Sequence, residues 1–128
     1  MKIAVSSQDF RKVSGHAGQA RRWLIFAAEE GRDPVVAEQL ELPPAVVFHH
    51  FKGSGAHPLD AVSVLITRFA GDGFVTKMRK RGNEVQQTRE TDARKAVVDY
   101  LAGRLAPPPS RRLMSLFCKV RDAFSSHA

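Results

Sequence analysis

The segment Ala61-Val62-Ser63-Val64-Leu65-Ile66-Thr67 is nearly continuous in apolar and β-branched residues, the pattern of a strand covered on both faces. Such a strand needs a packing layer on each side, and the sequence after it supplies candidates. Gly71-Asp72-Gly73 makes a turn, and Phe74 to Arg81 reads as a helix with Phe74, Val75 and Met78 inward and Gly82 as its stop. Glu84 to Thr88 is a short strand. Thr91 or Asp92 can cap a second helix, whose inward positions Ala93, Ala96, Val97, Tyr100 and Leu101 recur at helical spacing until Gly103. Strand, glycine turn, helix, strand and helix in succession predict an α/β domain with at least two parallel strands and a right-handed connection.

Upstream, Lys2 to Ser6 reads as an opening strand with Ile3 and Val5 on one face, followed by a polar turn at Ser7 to Asp9. The stretch Val13-Ser14-Gly15-His16-Ala17-Gly18 is too rich in glycine for a strand interior and reads as a loop. Arg22 to Glu29 contains Trp23, Leu24, Ile25 and Phe26, which suit a strand, and Asp33 to Leu42 is its hairpin partner, ended by Pro43-Pro44. Val46 to Asp60 holds three of the five histidines among glycines and reads as a flexible loop. Residues 1–105 therefore form one domain, 106–110 a proline-rich linker, and 111–126 a terminal amphipathic helix with Leu113, Phe117, Val120 and Phe124 on one stripe. That helix has three possible docking places: its own domain, a second copy in an oligomer, or a partner.

A chain of 128 residues, 43% hydrophobic, can bury a core without disulfides or metal. Its single cysteine, Cys118, excludes a disulfide framework, CxxC redox chemistry and four-cysteine metal cages. The longest apolar run, Trp23 to Ala28, is far short of a membrane span, and one short basic helix binds lipid weakly, so no membrane role is expected. Met1 to Val5 turns polar at once with no signal-peptide core, which makes the cytoplasm the expected compartment.

The formal charge of +7 points to an anionic partner: nucleic acid, lipid or an anionic cofactor. Residues 1–60 are neutral, so the excess is confined to the second half of the domain and the tail. Its densest cluster, Lys77, Arg79, Lys80 and Arg81, lacks the interleaved aromatics of a base-stacking surface and reads as a solvated helix face, which argues against nucleic acid.

Several pieces occur in a telling order: Met1 to Ser7, Val13 to Ala20, His57-Pro58-Leu59-Asp60 running into the strand to Ile66, Gly71-Asp72-Gly73-Phe74, Gly82-Asn83-Glu84-Val85, and Thr88 to Asp92. Together they resemble the dinitrogenase iron–molybdenum cofactor biosynthesis domain over roughly residues 1–105. The resemblance implies a ribonuclease-H-like fold, a small mixed sheet flanked by helices. It also implies a non-catalytic role: binding, storing or transferring an iron–sulfur or iron–molybdenum cofactor precursor, not covalently bound, alongside nitrogenase-assembly proteins. Nuclease chemistry is not implied, because a two-metal site needs carboxylates on the central strands and Ile3 to Ser6 has none. A reading from a different class is a regulatory or protein-interaction module that no longer binds a cluster.

A cluster carrier needs one or a few replaceable ligands, imidazole or thiolate, together with positive charge and backbone N–H groups near the sulfides. His16 is the leading candidate, in a loop where Ser14, Gly15 and Gly18 let the backbone approach a bulky ligand. The competing reading of His16 is a structural histidine bonded to a neighbouring carbonyl. His49, His50 and His57 form a second constellation, open to three readings: a zinc site, a cover over a cluster, or a solvated loop. Adjacent histidines on extended backbone point to opposite sides, which weighs against the zinc site, and His57 can equally be a helix-entry residue before Pro58 with Asp60 as a local cap. Cys118 is chemically the best iron ligand but stands alone, open to ligation within or between copies or to no role. Ser14 with His16, or Ser54 with His57, lacks the visible third group of a triad.

Overall fold

The computed structural model describes residues 1–51 and 55–109. Cys118, the expected terminal helix and the last linker residue, Ser110, lie outside the described residues. Five strands, β1 (Lys2–Ser6), β2 (Arg22–Ala27), β3 (Val35–Glu41), β4 (Val64–Thr67) and β5 (Glu84–Gln87), form one mixed sheet in the order β3-β2-β1-β4-β5. β1 and β2 are antiparallel, as are β2 and β3, whereas β1, β4 and β5 run parallel. Helix α1 (Asp72–Lys80) makes the crossover from β4 to β5, and α2 (Ala93–Leu101) follows β5.

The period-two alternation of strand side chains explains why the central strands are apolar throughout. Ala4, Trp23, Ile25 and Leu65 enter one core with Met78 of α1 and with Leu42, Phe48, Leu59 and Val62. Ile3, Val5, Leu24, Phe26, Val64 and Ile66 enter the other with Ala93, Ala96 and Val97 of α2. Each face therefore has its own helix. β3 is an edge strand, bulged against Ile25 and Phe26, with most of its side chains exposed.

Both helices stop by the same device. Gly82 (φ +90) donates its N–H to Arg79 O while Asn83 N–H reaches Met78 O; Gly103 (φ +73) and Arg104 repeat this with Tyr100 O and Asp99 O. These paired bonds satisfy terminal carbonyls and require a residue that tolerates positive φ. At its other end α2 is capped by Asp92, whose carboxylate accepts Lys95 N–H at 2.7 Å.

Four expectations need correction. The strand expected from Ala61 is shorter, because Pro58–Ala61 folds into a 3₁₀ turn and pairing starts only at Val64. Leu101, expected inward, is 43% exposed at the end of α2. The stretch Val46 to Asp60 is not a plain loop: Pro44–Val46 is a 3₁₀ turn, Phe51 N–H closes a helical turn onto Val47 O, and residues 57–61 form a capped turn. The basic run on α1 is not wholly a solvated face, since Lys77 Nζ donates to Phe51 O at 2.9 Å and Arg81 pairs with Asp60 at 2.8 Å.

Candidate functional site

β1 and β4 are parallel neighbours whose chains leave in opposite directions, β1 toward β2 and β4 toward α1. Ligand sites in open α/β sheets form at such a switch point, beyond the carboxyl ends of the strands. Here the two strand ends are tied by buried hydroxyls: Ser6 Oγ lies 2.8 Å from Thr67 Oγ1. Ser6 Oγ also bonds Ser14 O at 2.7 Å, and Thr67 Oγ1 bonds Gly15 O at 3.2 Å. The loop after β1 is thereby held down onto the sheet.

His16 follows at once. Phe69 N–H donates to Gly15 O and Ala17 N–H to Phe69 O, so the histidine sits in a one-residue parallel bridge beside Phe69, with ring centroids 5.2 Å apart. Gly15 has φ +33, a conformation that a side chain disfavours, which is its reason for being glycine. Gly18 does not line the site. Its carbonyl accepts His49 N–H at 2.6 Å, and a Cβ there would meet Phe74 at 3.8 Å.

A cavity of about 770 Å³ opens beside His16, lined also by Ser14, Gly15 and Phe69 and by three arginines, Arg21, Arg22 and Arg68, against one carboxylate, Glu41. Two of the arginines are committed. Arg22 Nε bonds Glu41 at 2.8 Å, its Nη1 donates to Gln8 O at 3.0 Å, and its guanidinium lies 5.7 Å over the Phe10 ring. Arg21 Nε donates to Leu42 O at 3.2 Å and its Nη2 approaches Glu41 at 3.5 Å. Arg68 makes no side-chain hydrogen bond or ion pair with any described residue, and its Nε is closed off from solvent without an acceptor. The potential of this crevice is positive, and its volume is that of a site for a sizeable ligand.

The other histidines lie elsewhere. His49 and His50 are exposed, and because residues 48–50 form a turn rather than extended chain their rings meet edge to face at 5.1 Å instead of diverging. His57 is buried, with Nε2 donating to Val46 O at 2.7 Å and Nδ1 accepting Leu59 N–H at 3.1 Å. Asp60 accepts His57 N–H at 2.8 Å, completing a reciprocal cap. Both ring nitrogens are thus used in structure, and burial, reinforced by the charges of Arg81 and Lys77, lowers the His57 pKa below its ordinary value. None of these three lines the cavity that His16 lines. Among the described residues no group of three or more His, Cys, Asp or Glu is placed to hold a metal ion.

The sequence profile of the dinitrogenase iron-molybdenum cofactor family matches residues 1–103. The chain belongs to this family. No curated protein matches it. Solved structures similar to this family member include the crystal structure of PH0822, with 19% identity, a TM-score of 0.65, and coverage of 84% of this chain and 94% of that one. A Thermotoga protein assigned to NifB is 21% identical, with a TM-score of 0.54 over 83% of this chain and 91% of its own. A Methanocaldococcus jannaschii protein assigned as a dinitrogenase is 16% identical, with a TM-score of 0.56 over 83% and 92%. At these identities the likeness is one of fold.

In this cofactor-family domain Ser14, Gly15 and His16, singled out in the sequence, line the cavity together with arginines that were not. A signal for them existed. Arg68 is the first residue after the apolar strand β4, and a base directly beyond the carboxyl end of a buried parallel strand stands at the position where α/β sheets bind ligands. Arg21 and Arg22 close the loop that begins at the end of β1. No described helix is long and apolar enough to cross a membrane.

Proposed function

We propose that this protein holds an iron–sulfur or iron–molybdenum cofactor precursor in the β1–β4 crevice during cofactor assembly, with His16 as a replaceable ligand to the cluster. The observation that carries this reading is the placement of His16 at the strand switch point, on a loop fixed by Ser6 and Thr67, beside a cavity lined by three arginines and one carboxylate. The imidazole supplies a lone pair to an iron, and the arginines offset the negative charge that sulfides and bridging groups bring. One protein ligand leaves the cluster free to move on, which suits a carrier.

The role is binding rather than catalysis. The one carboxylate that lines the crevice among the described residues, Glu41, is occupied by Arg21 and Arg22, so it does not stand ready as a general base. The strand order and the antiparallel β1-β2-β3 meander support the ribonuclease-H-like reading of the fold without its metal-binding carboxylates. The cytoplasm, where cluster assembly proteins meet, is the setting that fits this function.

The test is anaerobic titration of the purified protein with isolated cofactor or an iron–sulfur precursor, followed by visible absorbance and gel-filtration co-migration. Wild type should take up the cluster, and His16→Ala should lose most of it. No uptake by wild type would sink the reading.

A further inference from the structure

We infer that Arg68 is the anion-binding side chain of the crevice, completed by a ligand group bearing negatively charged oxygen or sulfur acceptors. The inference deepens the cluster-carrier reading and rests on it for the source of that group, but the acceptor chemistry follows from the arginine itself.

A guanidinium presents five N–H donors in a rigid fork and is always charged. Closing one of those donors off from solvent without an acceptor costs free energy that native structures ordinarily avoid, so an orphan in a cavity wall marks a group whose partner arrives from outside. Arg68 Nε is such an orphan. Arg81 Nε is another, but Arg81 is otherwise engaged, with Nη2 donating to Asp60 and Gly55 O at 2.8 and 2.9 Å. Arg21 and Arg22 share Glu41 and two backbone carbonyls. Arg68 alone among the three crevice arginines has no acceptor among the described residues.

Its neighbours suit an anion. Ser14 Oγ accepts Gln8 N–H at 3.0 Å, which leaves its hydroxyl proton to donate, and it lines the same cavity. Glu41, the one like-charged lining group among the described residues, is neutralised by Arg21 and Arg22. Arg68 is next to Phe69, whose backbone pairs with the His16 loop, so an acceptor on Arg68 and a metal on His16 belong to one ligand-sized space.

The experiment has two arms. In the first, inorganic sulfate is titrated at low chloride into ¹⁵N-labelled protein while the arginine Nε–H and backbone amide signals are followed. Saturable shifts at Arg68 Nε and at residues 14–16, kept in His16→Ala and weakened roughly tenfold to a hundredfold in Arg68→Met, support the inference. Arg68→Lys should retain part of the affinity as a point charge without the fork. In the second arm, cluster uptake is compared for wild type, Arg68→Met and Arg68→Lys.

Dependence on Arg68 in the cluster arm alone supports the inference with the cluster as the source of the acceptors. Dependence in the sulfate arm alone, with no cluster uptake by wild type, supports it while removing the carrier reading. Equal behaviour of Arg68→Met and wild type in both arms overturns it.

Discussion

The hydroxyls of Ser6 and Thr67, 61 residues apart in sequence, meet at 2.8 Å where the parallel strands β1 and β4 end. Both side chains are fully buried, and between them they bond the carbonyls of Ser14 and Gly15, so the loop carrying His16 is held by side chains of the sheet. Thr67→Val keeps the shape and removes the hydroxyl bond to Gly15 O, which still accepts Phe69 N–H, while Ser6 Oγ still donates to Ser14 O. The expected cost is about 0.5–1.5 kcal/mol of stability. Amide exchange at Ala17 and Phe69 should also quicken, since their bonds depend on the loop's seat. Urea unfolding and hydrogen exchange check both; unchanged exchange in a destabilised variant would show that the loop does not rely on Thr67.

Arg79, in the last turn of α1, and Arg81, the residue that follows the helix, have opposite fates. The Arg81 side chain is only 12% exposed, pairs with Asp60 and bonds Gly55 O, and its guanidinium lies 5.3 Å over the Phe51 ring. Arg79 is exposed with no side-chain partner among the described residues. Arg81→Met should therefore destabilise by about 1 kcal/mol, by removing hydrogen bonds to Gly55 O and to the partly exposed Asp60 carboxylate. Arg79→Met should stay within about 0.5 kcal/mol of wild type. Equal midpoints in urea for the two variants would show that the basic cluster is a solvated face after all.

Much of the fold could be read from the residues because its determinants are local. Trp23 to Phe26 alternate between two cores, and Gly82 and Gly103 end helices by a conformation that other residues resist. The site was legible only in part, because its determinants are long-range. His16 stands out in its glycine loop, but Ser6 and Thr67 look like ordinary strand-end residues until β1 and β4 are known to be parallel neighbours. His57 sits in a histidine-rich stretch that suggests ligation, and its two ring nitrogens are accounted for only when the chain folds Val46 O back over eleven residues. Arg68 carries meaning only once the cavity beyond β4 is seen.

The sole tyrosine, Tyr100, donates its hydroxyl to Glu84 Oε2 at 2.6 Å. Partial burial, with the Glu84 carboxylate beside it, raises its pKa from 10.0 to about 12. A spectrophotometric titration of phenolate absorbance should show one transition near that pH in the folded protein. Glu84→Gln removes the negative charge that opposes the phenolate and should lower the transition. A wild-type midpoint near 10 would mean that Tyr100 does not hold Glu84 in solution.

His57 links acidity to the surroundings of the His16 loop. Its ring stacks on Phe48 at 4.2 Å with 16° between planes, and its neutral form is needed because Nδ1 must accept Leu59 N–H. Protonation would turn that acceptor into a donor, and burial, aided by the charges of Arg81 and Lys77 against that of Asp60, holds the folded pKa below the ordinary 6.5. Above pH 6.5 the histidine is neutral in both folded and unfolded chains, and its contribution to stability is complete. As pH falls below 6.5 the unfolded chain takes up a proton that the folded one refuses, so stability declines until the folded pKa is passed. His57→Asn retains a side chain able to cap the Pro58–Ala61 turn but cannot titrate, so its urea midpoint should fall less between pH 7.5 and 5 than that of wild type. Because Val46, bonded to His57, ends the 3₁₀ turn that leads into residues 48–50, from which His49 N–H reaches Gly18 O, the protection factor of the His49 amide, corrected for the intrinsic slowing of exchange in acid, should fall over the same pH range in wild type and not in His57→Asn. Parallel pH profiles for the two proteins would show that His57 is not the group that senses acid.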